Sequence, residues 1–339
     1  MGIIAPAIVT VQPHFMEPDV VVAYSQVSGA FKLLPDGRPR VKIGSDDLAV
    51  YVRRVDIRTR MASGTAAYNM LPNVTPVFSY ISTPTYLTRV RSEWDYHDSA
   101  AAGRWNTGIQ NLYRLGARQA HFQFQRIALL FGINPALGEG LANPVNGTSI
   151  NLPPDQNGNS TISTYDNGAM GQFLLQTIGS IKVRTNNIGI GREFVICAPQ
   201  RVLEIWQYSV VQLVQYQRPG AGSETTAGMV KLVADIMEDE VYWVSDDTLL
   251  GKGAGGTDLI IFTMPKLEVV KAPTEINTNE FFDIQPSFED CVVQYNDMVA
   301  PREIVTPIAG GATDCLSENR LTSGWGIRPE AVTLLSAGF

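Results

Sequence analysis

The sequence predicts an α+β chain, and three observations carry that reading. Two stretches between residues 55 and 90 alternate apolar and polar residues as half-buried strands do. A long stretch from residue 105 repeats apolar residues at steps of three and four, and beyond residue 160 helix-like and strand-like segments alternate. At 339 residues and 45% hydrophobic, the chain is long enough for roughly two domains with a sizeable core. Only 17% of its residues are charged, against about 25% in ordinary soluble domains, which excludes a disordered or highly solvated chain.

The elements follow in order. Residues 1 to 45 carry Pro6, Pro13, Pro18, Pro35 and Pro39 with little periodicity, which predicts an extended arm. The strand-like run 55 to 61 and a second at 76 to 90, separated by the turn-like Asn69-Met70-Leu71-Pro72-Asn73, read as a long two-stranded excursion. Trp105, Ile109, Leu112, Gly116, Ala120, Phe124, Ile127 and Phe131 hold one face of a helix over 105 to 131, stopped at Gly132. At 1.5 Å per residue it would be about 40 Å long. Residues 138 to 159, rich in Gly, Pro and Asn, read as a loop. Helices are then expected over 168 to 181, 199 to 216 and 225 to 237, with strands over 192 to 198, 240 to 245 and 258 to 264. Residues 265 to 310 read mostly as strand, clearest at 291 to 295 and 302 to 305.

Candidates for chemistry are few. His97, within Asp95-Tyr96-His97-Asp98, has the carboxylate neighbours a general base needs, but the cluster precedes the long helix, where Asp98 or Ser99 serves as a helix cap. The capping role is preferred. His14 and His121 lack metal-ligand spacing to another His or Cys, and Cys197, Cys291 and Cys315 are too scattered for a disulfide frame, so a reducing compartment is expected. Residues 251 to 257 are glycine-rich, but Lys252 is followed by Gly253 where a phosphate loop needs Ser or Thr, so they read as a turn. No cofactor or metal site is expected. No apolar run approaches the roughly 20 residues of a membrane span, and Met1-Gly2-Ile3-Ile4-Ala5-Pro6 suggests neither export nor lipidation.

Charge is unevenly distributed. Residues 31 to 60 hold eight basic side chains against four acidic ones, whereas residues 230 to 298 hold four Lys against fourteen Asp and Glu. The net charge of −7 argues against gripping nucleic acid as the main task. Arg53, Arg54, Arg58, Arg60, Arg89 and Arg91 are candidate contacts to acidic surfaces on neighbouring copies, with Asp235, Glu238, Asp239 and Glu240 their acidic counterparts. The competing reading makes both regions solvated faces.

The order of extended arm, β excursion, long helix, α/β unit and returning strands resembles the major capsid proteins of tailed bacteriophages, the Hong Kong 97-type fold shared with encapsulin shells. Gly324-Trp325-Gly326-Ile327-Arg328-Pro329-Glu330-Ala331-Val332 is similar to that family's closing stretch, and Arg192 through Val202 to its strand-to-helix step. The resemblance implies an N-terminal arm over 1 to 45, an extended β-hairpin E-loop over 46 to 95, and a spine helix with the first part of a peripheral domain over 96 to 159. It further implies an axial domain over 160 to 270 and returning peripheral strands with the C-terminal segment over 271 to 339. The implied partners are many copies of the same chain in pentamers and hexamers, a portal, a cement protein, and packaged double-stranded DNA held by weak non-specific contacts. The family often carries a scaffolding segment ahead of the arm; with no room for one here, a separate scaffolding protein is expected, or none. A non-enzymatic virion protein made in the bacterial cytoplasm, without a membrane stage, is the expectation. The alternatives are an encapsulin-type compartment shell and a cytoplasmic α+β enzyme using His97.

Overall fold

The computed structural model describes residues 28–58, 75–104, 108–185, 192–211, 224–236, 238–266, 292–298, 300–308 and 311–339. Two sheets organise them. The first joins β1 (Ala49–Arg58), β2 (Thr75–Trp94), β11 (Thr313–Thr322) and β10 (Arg302–Pro307), neighbours in that order and all antiparallel. The second has the order β3 (Thr148–Asn151), β13 (Val332–Ala337), β8 (Asp258–Thr263), β4 (Glu193–Ala198) and β7 (Glu240–Ser245). Its central strand, Asp258-Leu259-Ile260-Ile261-Phe262-Thr263, is buried at every position, as a strand covered on both faces must be. Helices α3 (Asn167–Arg184), α4 (Gln200–Tyr208) and α5 (Thr226–Ile236) pack with this sheet, α3 meeting β13 and α5 meeting β7. Two short pairings, β5 (Val210–Val211) with β6 (Glu224–Thr225) and β9 (Val293–Gln294) with β12 (Trp325–Gly326), complete the ladders among the described residues.

The segment expected as an extended arm is packed at its end. Residues 30–33 form a short 3₁₀ turn, and Ala30, Leu33 and Leu34 are buried in the main core with Phe194, Val244 and Leu129. Three apolar residues within five are enough to hold a short segment against a core despite the prolines that follow. Residues 1 to 27 lie outside the described residues, as do the turn-like residues 69 to 73.

The long helix is divided. Helix α1 (Tyr96–Arg104) precedes α2 (Ile109–Leu130), which spans about 33 Å. The cap of α1 is Asp95: its Oδ1 accepts the Asp98 N–H at 2.7 Å while Asp98 Oδ2 accepts the Asp95 N–H at 3.2 Å. This reciprocal box, rather than a cap at Asp98 or Ser99, starts the helix. The apolar face of α2 is real but points outward. Leu112, Phe124 and Ile127 are exposed, while Ala117, His121, Ala128 and Leu129 face inward.

Other departures have local causes. Residues 138–159 are not only loop: they contain β3, which pairs in parallel with β13. Helix α4 stops at Tyr208, and Val210 and Val211 pair with β6, just ahead of α5, instead of extending the helix. Of the expected strand 291–295, Cys291 lies outside the described residues, and among 292–295 Val293 and Gln294 are paired as strand. The glycine-rich segment before β8 is a turn, with Gly251, Gly255 and Gly256 all at positive φ.

Candidate assembly surfaces

The longest feature is the hairpin. Strand β2 pairs with β1 along Thr75–Pro84 and with β11 along Thr85–Trp94, so one continuous strand is both the projecting arm and part of the body sheet. Directly opposed residues of an antiparallel pair share a face. Tyr51 opposes Ser82, Arg53 opposes Tyr80 and Val55 opposes Phe78, which places Tyr51, Phe78 and Tyr80 in a row on one face. They are 70%, 69% and 69% exposed. On the other face Val52 opposes Ile81, and both pack against Ile327. Among the described residues the outer row therefore lacks the cover that the inner row has. Covering any one of these rings would remove on the order of 100–150 Å² from water, roughly 3 kcal/mol of gross burial before ordering costs.

The hairpin's root is fixed by charge and by a buried carboxylate. Arg89 Nε lies 2.8 Å from Glu318 Oε1 on β11, and Arg91 Nε lies 2.9 Å from Asp314 Oδ1. The Arg91 Nη2 also meets Glu93 at 3.2 Å. These two arginines, expected to reach neighbouring copies, are thus held by their own chain. Between the root and the core sits Glu139, wholly buried. Its Oε1 accepts the Tyr86 hydroxyl at 2.6 Å, and its Oε2 accepts the Ser323 hydroxyl at 2.7 Å and the N–H groups of Asn134 and Ile133 at 2.8 and 3.3 Å. Burial, reinforced by the adjoining Glu139, pushes the Tyr86 phenol up to about 12, so it stays a donor. Gly140, next to Glu139, has φ +90°, and a Cβ there would stand 2.3 Å from the Phe131 carbonyl carbon. Only glycine lets the loop cross the helix end so closely.

The four acidic candidates divide. Asp239 is 5% exposed; it pairs with Lys182 and accepts the Arg192 N–H at 2.9 Å, so it is an internal anchor and not a surface contact. Asp235, Glu238 and Glu240 are exposed around the turn from α5 to β7. Glu238 has φ +56°, left-handed backbone uncommon for a residue with a side chain. Glu240 accepts the Tyr242 hydroxyl at 2.6 Å. Of the basic candidates, Arg53, Arg54 and Arg58 belong to the β1 ladder, their side chains outside the described residues, and Arg60 lies outside them altogether.

The constellation around His97 does not form. His97 is exposed on the first turn of α1 beside the Tyr96 ring, and the Asp95 and Asp98 carboxylates are occupied by backbone N–H groups. His121 is buried between α2 and the sheet, 3.1 Å from the Ser317 hydroxyl and 3.4 Å from that of Thr88, and burial lowers its pKa. Among the described residues no group of three His, Cys, Asp or Glu could hold a metal ion, and no helix is long and apolar enough to cross a membrane.

A β-hairpin rooted in a body sheet, a long helix beside it and a compact α/β unit define the architecture of a phage capsid protein, and solved structures agree along nearly the whole chain. The capsid of the Myoviridae phage XM1 is matched with a TM-score of 0.63 at 11% identity, over 96% of this chain and 97% of that one. The capsid of an empty GTA particle is matched at 0.61 and 10%, over 97% and 96%. For the capsid of cyanophage P-SCSP1u the values are 0.55 and 10%, over 96% and 92%. The chain has the phage capsid fold. No family model matches the sequence, and no curated protein does.

Proposed function

We propose that the chain is the shell subunit of a tailed-phage capsid, the major capsid protein that assembles in many copies, as pentamers and hexamers, around a double-stranded DNA genome. The observation that carries this is the likeness to the XM1 capsid structure over 96% of this chain and 97% of that one. Two uncovered apolar faces support it: the Tyr51, Phe78 and Tyr80 row of the hairpin and the Leu112, Phe124 and Ile127 face of α2. Exposed apolar patches of this kind mark interaction sites in a chain meant to be covered.

In this reading the hairpin is the E-loop, α2 the spine helix, the first sheet the peripheral domain, and the second sheet with α3, α4 and α5 the axial domain. The expected arm, residues 1 to 45, lies outside the described residues up to residue 27. A separate scaffolding protein, a portal and a cement protein are its expected partners. DNA contact is weak, as a net charge of −7 requires. The protein is made in the bacterial host and resides in the virion. Negative-stain electron microscopy of the purified chain, with and without co-expressed phage proteins, tests the proposal: closed shells or capsomers are expected. A stable 37 kDa monomer at high concentration in every combination would refute it.

A further inference from the structure

A cleft of about 400 Å³ opens where residues 38–42 cross α2 and meet residues 297–301, within the size range of small-ligand sites. Arg38, Lys42 and Arg118 line it together with His121, Gln125 and Asp297. Arg89, Arg91, Arg114 and Arg201 each meet a carboxylate at 2.7–2.9 Å. No ion pair among the described residues engages Arg38, Lys42 or Arg118. Three cations from two elements thus converge on one cleft without a counter-charge of their own.

The carboxyl inside the cleft strengthens this bias. Asp297 is tied into the wall, its Oδ2 accepting the Gln125 Nε2–H at 3.1 Å and its backbone carbonyl the Ile43 N–H at 3.1 Å. Burial pushes its pKa up to about 6. Burial lowers the His121 pKa, and burial with Asp297 raises that of the neighbouring Tyr295. The charged and polar groups that line the cleft with Asp297 are the three cations, the His121 ring and the Gln125 amide. Near neutral pH the cleft holds three positive charges against one negative, and below pH about 6 the negative charge is lost.

On the same chain, Asp235, Glu238 and Glu240 stand exposed at one turn, with Glu238 held in left-handed backbone. Strained backbone of this kind concentrates where a side chain is being aimed. We propose that the cleft is a carboxylate-binding site and that its occupant is the acidic turn 235–240 of a second copy of this chain. The contact rests on the shell-subunit reading. The acidic turn is preferred to a nucleic acid phosphate because it is exposed on the same chain and matches the cleft's charge, and the duplex arm of the test separates the two.

The full-length chain is tested as Arg118→Glu, Glu238→Arg and the charge-swapped double variant, with circular dichroism to check folding and Lys42→Glu as a second cleft variant. Each single reversal should lower the sedimenting, assembled fraction at least tenfold, and the swap should restore it to within about threefold of wild type. Independently of assembly, a fluorescein-labelled peptide of residues 233 to 241 is titrated into the dilute chain. Binding should weaken at least tenfold in Arg118→Glu and Lys42→Glu and be at least threefold tighter at pH 5.5 than at 7.5, a difference that Asp297→Asn should abolish. Peptide binding indifferent to the cleft variants, or reversals that leave particles unchanged, would overturn the proposal. So would a 20-base-pair DNA duplex whose binding is lost in Arg118→Glu while the peptide's is not. If the wild type forms no particles yet binds the peptide with this pattern, the cleft assignment stands and the shell reading fails.

Discussion

Replacing Glu139 by Ala removes the acceptor of four hydrogen bonds at a wholly buried position. The Ile133 N–H keeps the Ser323 hydroxyl oxygen as acceptor at 3.1 Å, but the Asn134 N–H is left without its carboxylate, and the Tyr86 and Ser323 hydroxyls lose theirs. The orphaned N–H costs about 1–3 kcal/mol and each lost hydroxyl bond about 0.5–1.5 kcal/mol, so the variant should lose about 2–6 kcal/mol. At roughly 2–4 °C per kcal/mol for domains of comparable size, the melting temperature should fall by on the order of 10 °C. Glu139→Gln keeps one acceptor oxygen, and the Tyr86 hydroxyl can turn to accept from the new amide, so its loss should be about 1–2 kcal/mol. The assay is differential scanning fluorimetry of both variants and of Tyr86→Phe, which loses one bond and should cost about 1 kcal/mol. Hydrogen exchange adds location: the amides of Ile133 and Asn134 should lose protection before those of β8. A melting temperature for Glu139→Ala within about 1 °C of wild type would refute the view that this carboxylate ties the hairpin root to the helix end.

Three further outcomes follow from the same geometry. Lys182→Ala leaves Asp239 buried without its cation and should cost about 3–5 kcal/mol, read by chemical denaturation. Phe78→Ser and Tyr80→Ser, both on the uncovered hairpin face, should leave the melting temperature of the unassembled chain within about 2 °C while raising the concentration needed for assembly at least tenfold, read by light scattering; equal losses of both would place these rings in the fold instead. Asp297 binds its proton more tightly folded than unfolded, so its contribution to stability is present at low pH and is lost as pH rises through about 6. With allowance for its partial exposure this amounts to on the order of 1–2 kcal/mol. Asp297→Asn should be the more stable protein at pH 7, with a flatter melting profile between pH 4 and 6.

What sequence could reveal depended on whether a segment's pattern is set by its own neighbours or by distant ones. The runs 194–198 in β4 and 259–262 in β8 are apolar because both faces are covered, and their positions were readable. Strand β11 was not, since Thr-Asp-Cys-Leu-Ser-Glu-Asn-Arg-Leu-Thr looks like loop; its polar residues are buried between β2 and β10, with Ser317 meeting His121 and Glu318 meeting Arg89. Helix α2 had a legible periodicity and a misleading one, because its most apolar face is the uncovered one and small Ala117 and Ala128 face inward. Asp239 was indistinguishable from its exposed neighbours in the acidic run; only the distant Lys182 separates them. Glu139 had one signal, a carboxylate between two glycines, whose meaning depends on the close crossing at Phe131.

The change of partner along β2 has a mechanical consequence. From Pro84 outward the ladder partner of the strand is β1 alone, from Thr85 inward it is β11, and the packing of Val52 and Ile81 on Ile327 is the last support beyond the change, so stiffness drops past Ile81. The residues of β2 beyond it, 75–80, form a lever about 20 Å long. A tilt of 10° at its base carries the far end through roughly 3.5 Å, more than a hydrogen bond's length. In the proposed shell, identical chains would meet neighbours at unequal angles by flexing at one place, while the body sheet and the buried carboxylate stay as they are.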